Sequence, residues 1–224
     1  MNFQDYPTYN LSLAQQGSEE WKKLRIGRIT SSNLASCTGR NGYSVNKYEL
    51  ARKICGSDDT EINSYMQHGM TMEPLIRDWY SEIIKKPIKE VGIAIWKKDP
   101  RFGGSLDGEI DDEQGIEIKA PSRMYQKLVE YIESRKKGYS FYPGYHEHVF
   151  NSHYDQMTGN GIITNKKYMH YVVVCTDTQK SFIQRFPVDV DLWEREIYPK
   201  ACAFYENYVS PTLKEFEVVR IDPL

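Results

Sequence analysis

The stretch from Gly104 to Pro121, GSLDGEIDDEQGIEIKAP, holds the side chains best suited to chemistry. It reads as two short strands joined by an acidic turn. Asp107 stands on the first, in Ser105-Leu106-Asp107-Gly108, and Glu117-Ile118-Lys119 on the second. Strand side chains alternate between faces, so Glu117 and Lys119 share one face while Ile116 and Ile118 point into a core. Pairing of the strands as a hairpin would bring Asp107 beside Glu117. Two carboxylates and an ammonium would then converge on one point. Two oxygen donors suit a hard divalent cation such as Mg²⁺, which keeps several of its waters. A neighbouring lysine can hold or deprotonate the attacking water, and this set fits phosphodiester cleavage. The same letters also suit a charged hairpin with solvated side chains, so other parts of the chain have to decide.

Glu73, in Gly69-Met70-Thr71-Met72-Glu73, extends the apolar stripe of a helix. A carboxylate facing a core is costly unless it is paired or binds a metal. Pairing with Arg77 at i+4 is one reading, and a third acid near a metal is the other. Gln156 falls on a later helix, either as a partly exposed residue or as a hydrogen-bond partner for Lys119 or a scissile phosphate. The segment Trp21-Lys22-Lys23-Leu24-Arg25-Ile26-Gly27-Arg28-Ile29-Thr30-Ser31-Ser32 packs four cations into seven residues and follows them with hydroxyls. It suits either an amphipathic helix with a solvated basic face or a phosphate site, since arginine offers a fork of donors and helix N-termini point amides at anions. Asp111, Asp112 and Glu113 read as solvated turn residues. His146-Glu147-His148 has no third ligand at useful spacing and reads as a loop on the substrate path.

The elements around these residues follow from periodicity and punctuation. Residues 1–16, polar and without a period, are expected to form an arm. Ser18 caps a helix to about Arg25, which Gly27 ends; a short helix around Leu34 and another over 45–56 follow, with a polar linker at 57–63. The strongest helix spans 66–85, its pairs Leu75/Ile76, Trp79/Tyr80 and Ile83/Ile84 forming one buried stripe. Val91–Trp96 is a strand. Beyond the hairpin come a helix over 122–137, an aromatic loop over 138–148 and a helix over 150–163. Strands at 169–176 and 181–186 pair, then a helix over 190–208 leads into a tail over 209–224. The order predicts one α/β domain over 1–224, a central mixed sheet flanked by helices.

Taken in order, these blocks resemble the PD-(D/E)xK nuclease superfamily, and within it the bacteriophage lambda exonuclease and YqaJ-like viral recombinases. Trp21-x-x-Leu24-Arg25-x-Gly27-x-Ile29-Thr30-x-Ser32 is similar to the family's N-terminal block, Gly69-x-x-x-Glu73 to its helical G-x-x-x-E, and Ser105-x-Asp107-Gly108 with Glu117-x-Lys119 to the nuclease core. Leu106 stands where the proline of the signature is usual. Gln156 matches the first glutamine of a Q-x-Q helix, and Thr158 stands at the second. The resemblance implies a restriction-endonuclease-like core in which Asp107, Glu117 and the Ile118 carbonyl bind one Mg²⁺ (Mn²⁺ substituting) and Asp107 with Glu73 a second. It implies that Lys119, aided by Gln156, acts on the attacking water. Arg25, Arg28, Ser32 and Ser105 would contact DNA, with Arg25, Ser32 and Ser105 gripping a terminal 5′-phosphate. It further implies a 5′-to-3′ exonuclease on one strand of linear double-stranded DNA, a single-strand annealing protein as partner, and a trimeric homo-oligomer.

Composition sets bounds on these expectations. The 224 residues suffice for one sizeable core, and a net charge of −2 excludes a global basic field, so cations must be concentrated locally. Four scattered cysteines without a C-x-x-C pair argue against a zinc site and for reduced thiols. With no long apolar run, the expected setting is intracellular; the resemblance implies the cytoplasm or nucleus of a virus- or phage-infected host. Two rival readings keep the same core: an endonuclease without the end grip, and a DNA-binding module without turnover. A carboxylate-pair glycosidase is disfavoured by Lys119 beside Glu117.

Overall fold

The run Tyr168–Cys175, rich in valine, forms the strand (β10) around which one of the two main sheets is built. The computed structural model describes residues 3–42, 44–56, 63–121, 145–146, 149–177 and 180–215. β10 pairs in parallel with β7 (Gln114–Lys119) and antiparallel with β11 (Lys180–Pro187), while β6 (Gly108–Asp111) pairs antiparallel with the outer side of β7. The order of this sheet is β11-β10-β7-β6. Its register sets Tyr171 opposite Glu117 and Val173 opposite Lys119.

A helix covers each face of the sheet. α4 (Ser64–Ile84) lays Ile76 and Tyr80 on Ile116, Ile118 and Val172. α5 (Asn151–Ile163) sets Tyr154 and Met157 against Met169, Tyr171 and Val173. The strand period of two therefore sends Ile116 and Ile118 to α4, and Glu117 and Lys119 to α5. Both faces of β7 are buried, as a strand inside a helix-covered sheet requires.

The second sheet has the order β1-β2-β4-β5-β3 and joins β1 (Phe3–Asp5), β2 (Tyr9–Ser12), β3 (Ile29–Thr30), β4 (Ala94–Trp96) and β5 (Phe102–Gly104). Phe102 and Trp96 pack edge-on against Trp193 of the C-terminal helical run, which also supplies Ile197, Ala201, Phe204 and Val209 to the largest core. That run passes through Val190–Leu192, Trp193–Ile197, Tyr198–Phe204, Tyr205–Val209 and Ser210–Glu215, its second and fourth segments wound as π-helix. α1 (Glu19–Arg25), capped by Ser18, leads through Gly27 at φ +70° into β3, a 3₁₀ turn at Ser31–Asn33 and α2 (Leu34–Thr38). α3 (Lys47–Ile54) follows, capped by Asn46.

The α/β architecture agrees with expectation, its strands divided between two mixed sheets and a small β8–β9 hairpin at Tyr145–His146 and Val149–Phe150. Three local expectations need correction. The N-terminal segment is not an arm: β2 pairs with β4 and buries Tyr9 and Leu11, so its polar residues alternate with core residues. The 209–224 segment is not a tail from its start, because helix continues to Glu215 with Val209 and Thr212 buried. The apolar pairs of α4 do not form one buried stripe. Ile76 and Tyr80 are inside, but Leu75, Trp79 and Ile83 are 57 %, 38 % and 49 % exposed, because the sheet is wide enough to cover only one flank of the helix. The expected helix over 122–137, nearly all of the 57–63 linker and most of the 138–148 loop lie outside the described residues.

Candidate active site

The bend before β6 and the end of β7 meet through the main chain. Asp107 donates its N–H to the Ile116 carbonyl at 3.2 Å, and its Oδ2 accepts the Ile118 N–H at 2.6 Å. Asp107 thereby sits against the Glu117-Ile118-Lys119 segment, as pairing of the two strands requires. On the α5 face of β7, Lys119 Nζ donates to Glu117 Oε1 at 2.5 Å and to Gln156 Oε1 at 3.4 Å. Glu117 is completely buried.

Glu73 reaches this group from α4. Its Oε1 accepts from Arg77 Nη2 at 2.7 Å, so the i+4 pair read from the sequence forms. The pair also belongs to the site, because Arg77 Nε donates to the Asp107 carbonyl at 2.6 Å and the charge of Asp107 acts on Glu73. Pro74 interrupts the α4 hydrogen-bond ladder one residue later without ending the helix.

The electrostatics are those of acids crowded in a dry place. Burial, then the charge of Asp107, pushes Glu117 up to about 8 against the pull of Lys119. Burial and Asp107 likewise raise Glu73 to about 7, with Arg77 opposing. Asp107 is raised by burial, while Lys119, the Ile118 N–H and Arg77 resist. For Lys119 burial favours the neutral amine, but Glu117, Asp107 and Glu73 together outweigh it, so the ammonium holds its proton more firmly than usual. The acids as a group are short of positive charge.

That shortage is the observation against which a metal is judged. Among the described residues no three His, Cys, Asp or Glu side chains stand close enough to make a ready cage. Asp107 and Glu117 still supply two carboxylates, and Mg²⁺ is commonly held by one or two carboxylates with water completing the shell. The donor set fits one hard divalent ion. For Glu73 to serve a second ion, its carboxylate would have to share or leave the Arg77 contact.

A second cluster lies two residues upstream of Asp107. Trp21 Nε1 donates to Ser105 Oγ at 3.1 Å, and the Arg25 guanidinium stacks 4.3 Å from the Trp21 ring. Arg25 Nη2 donates to Thr30 Oγ1 at 3.3 Å and to Ser32 Oγ at 3.4 Å. Arg25, Ser32 and Ser105 are thus gathered through Trp21 and Thr30, as a cation ringed by hydroxyls. Arg28 is placed differently: it donates to the carbonyls of Pro100 at 3.1 Å and Leu24 at 2.8 Å, a main-chain clamp between α1 and the turn before β5.

The sequence hid one contributor altogether and showed another only as the partner of Glu73. Arg77 is a buried hub touching Glu73, Glu90 and the Asp107 carbonyl, and its i+4 spacing from Glu73 was the available signal. Asn160 is fully buried on α5 and donates to Ser105 O at 3.0 Å and Glu117 Oε2 at 3.3 Å. Its signal was the i+4 spacing from Gln156. His146 lies in β8, its partner His148 outside the described residues. None of the four cysteines forms a disulfide among the described residues.

No curated protein sequence matches the chain. Among solved structures, an alkaline exonuclease (LHK-Exo) from Laribacter hongkongensis is similar, with 25% identity, a TM-score of 0.65, and coverage of 89% of this chain and 96% of that one. The same enzyme in complex with dAMP matches at 24% identity and TM-score 0.65, covering 89% of this chain and 98% of that one. A phage related exonuclease from Haemophilus somnus 129PT shares the fold at 12% identity and TM-score 0.56, covering 87% of this chain and 99% of that one. The model of the YqaJ-like viral recombinase domain matches residues 20–167, which include every site residue named above. The chain belongs to the YqaJ-like viral recombinase family.

Proposed function

We propose that this chain is a Mg²⁺-dependent deoxyribonuclease that removes nucleotides from the 5′ end of one strand of linear double-stranded DNA. The observation that carries the reading is the junction of two sites within three residues: Ser105 belongs to the Arg25–Ser32 cluster and Asp107 to the Glu117–Lys119 cluster. Membership of a viral recombinase family and a fold shared with exonucleases support a nuclease.

In this reading Asp107 and Glu117, with the Ile118 carbonyl, hold the divalent ion, and Glu73 contributes to a second. When bound, the ion polarises the phosphoryl oxygens and offsets the charge that develops on them. The remaining work falls to the chain. Lys119 is an ammonium that three carboxylates stabilise and Gln156 orients. It directs a water at the scissile phosphorus and steadies the negative charge that builds there. Arg25 offers charge-assisted hydrogen bonds to a terminal phosphate, and Ser32, Thr30 and Ser105 offer hydroxyls. An end held there places the next phosphodiester beside Asp107, which favours exonucleolytic over internal cutting. Mn²⁺ should replace Mg²⁺, since both take oxygen ligands.

The product, a duplex with a 3′ overhang, is the substrate of a single-strand annealing protein, which we propose as partner. A trimeric assembly would keep the enzyme on its strand. The setting we propose is the cytoplasm or nucleus of an infected host; among the described residues no helix is long and apolar enough to cross a membrane. Duplexes with 5′-phosphate or 5′-hydroxyl ends test the reading. Faster cutting of the phosphorylated duplex supports it, and equal rates favour an endonuclease on the same core.

A further inference from the structure

Gln156 and Asn160 are four residues apart on α5, so they occupy one face of the helix and both reach β7. Gln156 meets Lys119, and Asn160 meets Glu117. The two members of the Glu-x-Lys pair are each held by a carboxamide from the same helix.

Asn160 is the more unusual of the two. It is completely buried in the last turn of α5, between Gly159 and Gly161, and asparagine is a poor helix former. Its Oδ1 finds no hydrogen-bond partner among the described residues, whereas most buried polar atoms have one. An apolar side chain would avoid both costs. The use of the amide therefore lies in what Nδ2 holds: the Ser105 carbonyl at 3.0 Å and Glu117 Oε2 at 3.3 Å. The surroundings fix the side chain tightly. A Cβ on Gly104 would collide with Asn160 Oδ1 and come within 2.7 Å of Ser31 Oγ, so the strand preceding Ser105 rests directly on this amide.

We propose that Asn160 is a positioning residue that sets the Glu117 carboxylate and ties it to the phosphate-gripping bend at Ser105. The proposal rests on the metal-dependent reading given above. Glu117 Oε1 is already drawn to the Lys119 ammonium. A donor on Oε2 stops the carboxylate from turning both oxygens toward the lysine and keeps its plane fixed relative to Asp107. The link to Ser105 O holds the two clusters at a constant separation. Outer residues that orient a ligand in this way typically contribute about 10–100-fold in metal affinity or activity.

The test is calorimetric titration of Mn²⁺ into the DNA-free full chain. Asn160→Ala should bind about tenfold or more weakly than wild type. Ser31→Ala, which removes a buried hydroxyl that has no hydrogen-bond partner among the described residues, should bind as wild type does. Wild-type affinity in a folded Asn160→Ala protein overturns the proposal and leaves the nuclease reading standing. A wild type that takes up no Mn²⁺ ends both. Should Asn160→Ala fail to fold, the ¹⁵N-labelled wild type decides: the Asn160 side-chain amide resonances should move with Mg²⁺ occupancy, and resonances that stay in place throughout the titration refute the role.

Discussion

Asp107 Oδ2 accepts the main-chain N–H of Ile118 at 2.6 Å, which fastens the acid before β6 to the residue between Glu117 and Lys119. This bond makes two sequence-distant carboxylates a single structural unit. In the proposed reaction it would also fix the side of β7 on which the water, the ion and the scissile phosphate meet.

Lys119 is the one ammonium bonded to Glu117 among the described residues, and it carries no structural duty beyond the site. Lys119→Ala should lower the cleavage rate by about 10²–10⁴ while leaving duplex binding nearly unchanged. Single-turnover cleavage and filter binding on the same duplex check this. Wild-type cutting by the variant would remove lysine from the chemistry.

Arg25 joins Trp21, Thr30 and Ser32 into the upstream cluster. A hydrogen bond to a charged group is worth ~1.5–3 kcal/mol, so Arg25→Ala should slow cutting of 5′-phosphorylated ends by about tenfold or more. Ends bearing a 5′-hydroxyl should lose far less. An equal loss on both substrates would take the phosphate clamp away from Arg25.

The raised carboxyls make a prediction for the metal-free protein. Glu117, at about 8, and Glu73, at about 7, keep protons in the folded chain that an unfolded chain has released. Stability from that difference is full below the ordinary carboxylate range and is lost as pH rises through 7 to 8. In EDTA, wild-type melting temperature should therefore fall between pH 6.5 and 9 by more than that of Glu117→Gln. Added Mg²⁺ should remove most of the fall, because the ion takes the deprotonated carboxylates. Identical pH profiles for wild type and Glu117→Gln in EDTA would contradict the crowding of acids at this point.

Gly104 has no room for a side chain, since a Cβ would strike Asn160 and Ser31. Gly104→Ala should cost ~1–3 kcal/mol, the usual penalty of an overpacked site. Denaturant unfolding measures it, and an unchanged midpoint would show that the contact between α5 and β5 yields easily.

What could be read from the letters followed the range of the interaction. The facing of Glu117 and Lys119 away from Ile116 and Ile118 is a consequence of strand alternation and appears as such in β7. The Glu73–Arg77 pair is local to one helix and was equally visible. β1 and β2 were invisible because β2 pairs with β4, more than eighty residues away in the chain, and β1 in turn pairs with β2. The exposed flank of α4 was missed for a related reason: periodicity shows which residues share a side, and only the neighbouring sheet determines how much of that side is covered. Asn160 carried no apolar or catalytic signature, and its meaning comes from two partners, Ser105 and Glu117, on other elements. Arg28 shows the reverse case, a cation in a basic run whose guanidinium is used on the Leu24 and Pro100 carbonyls.

The most direct measurement is digestion of a linear duplex labelled at both termini, with and without Mg²⁺. Stepwise loss of the 5′-terminal strand only when Mg²⁺ is present, abolished by Asp107→Asn, is the predicted result. Unchanged duplex in Mg²⁺ or Mn²⁺, or the same digestion in EDTA as in Mg²⁺, would contradict a metal-dependent centre built on Asp107, Glu117 and Lys119.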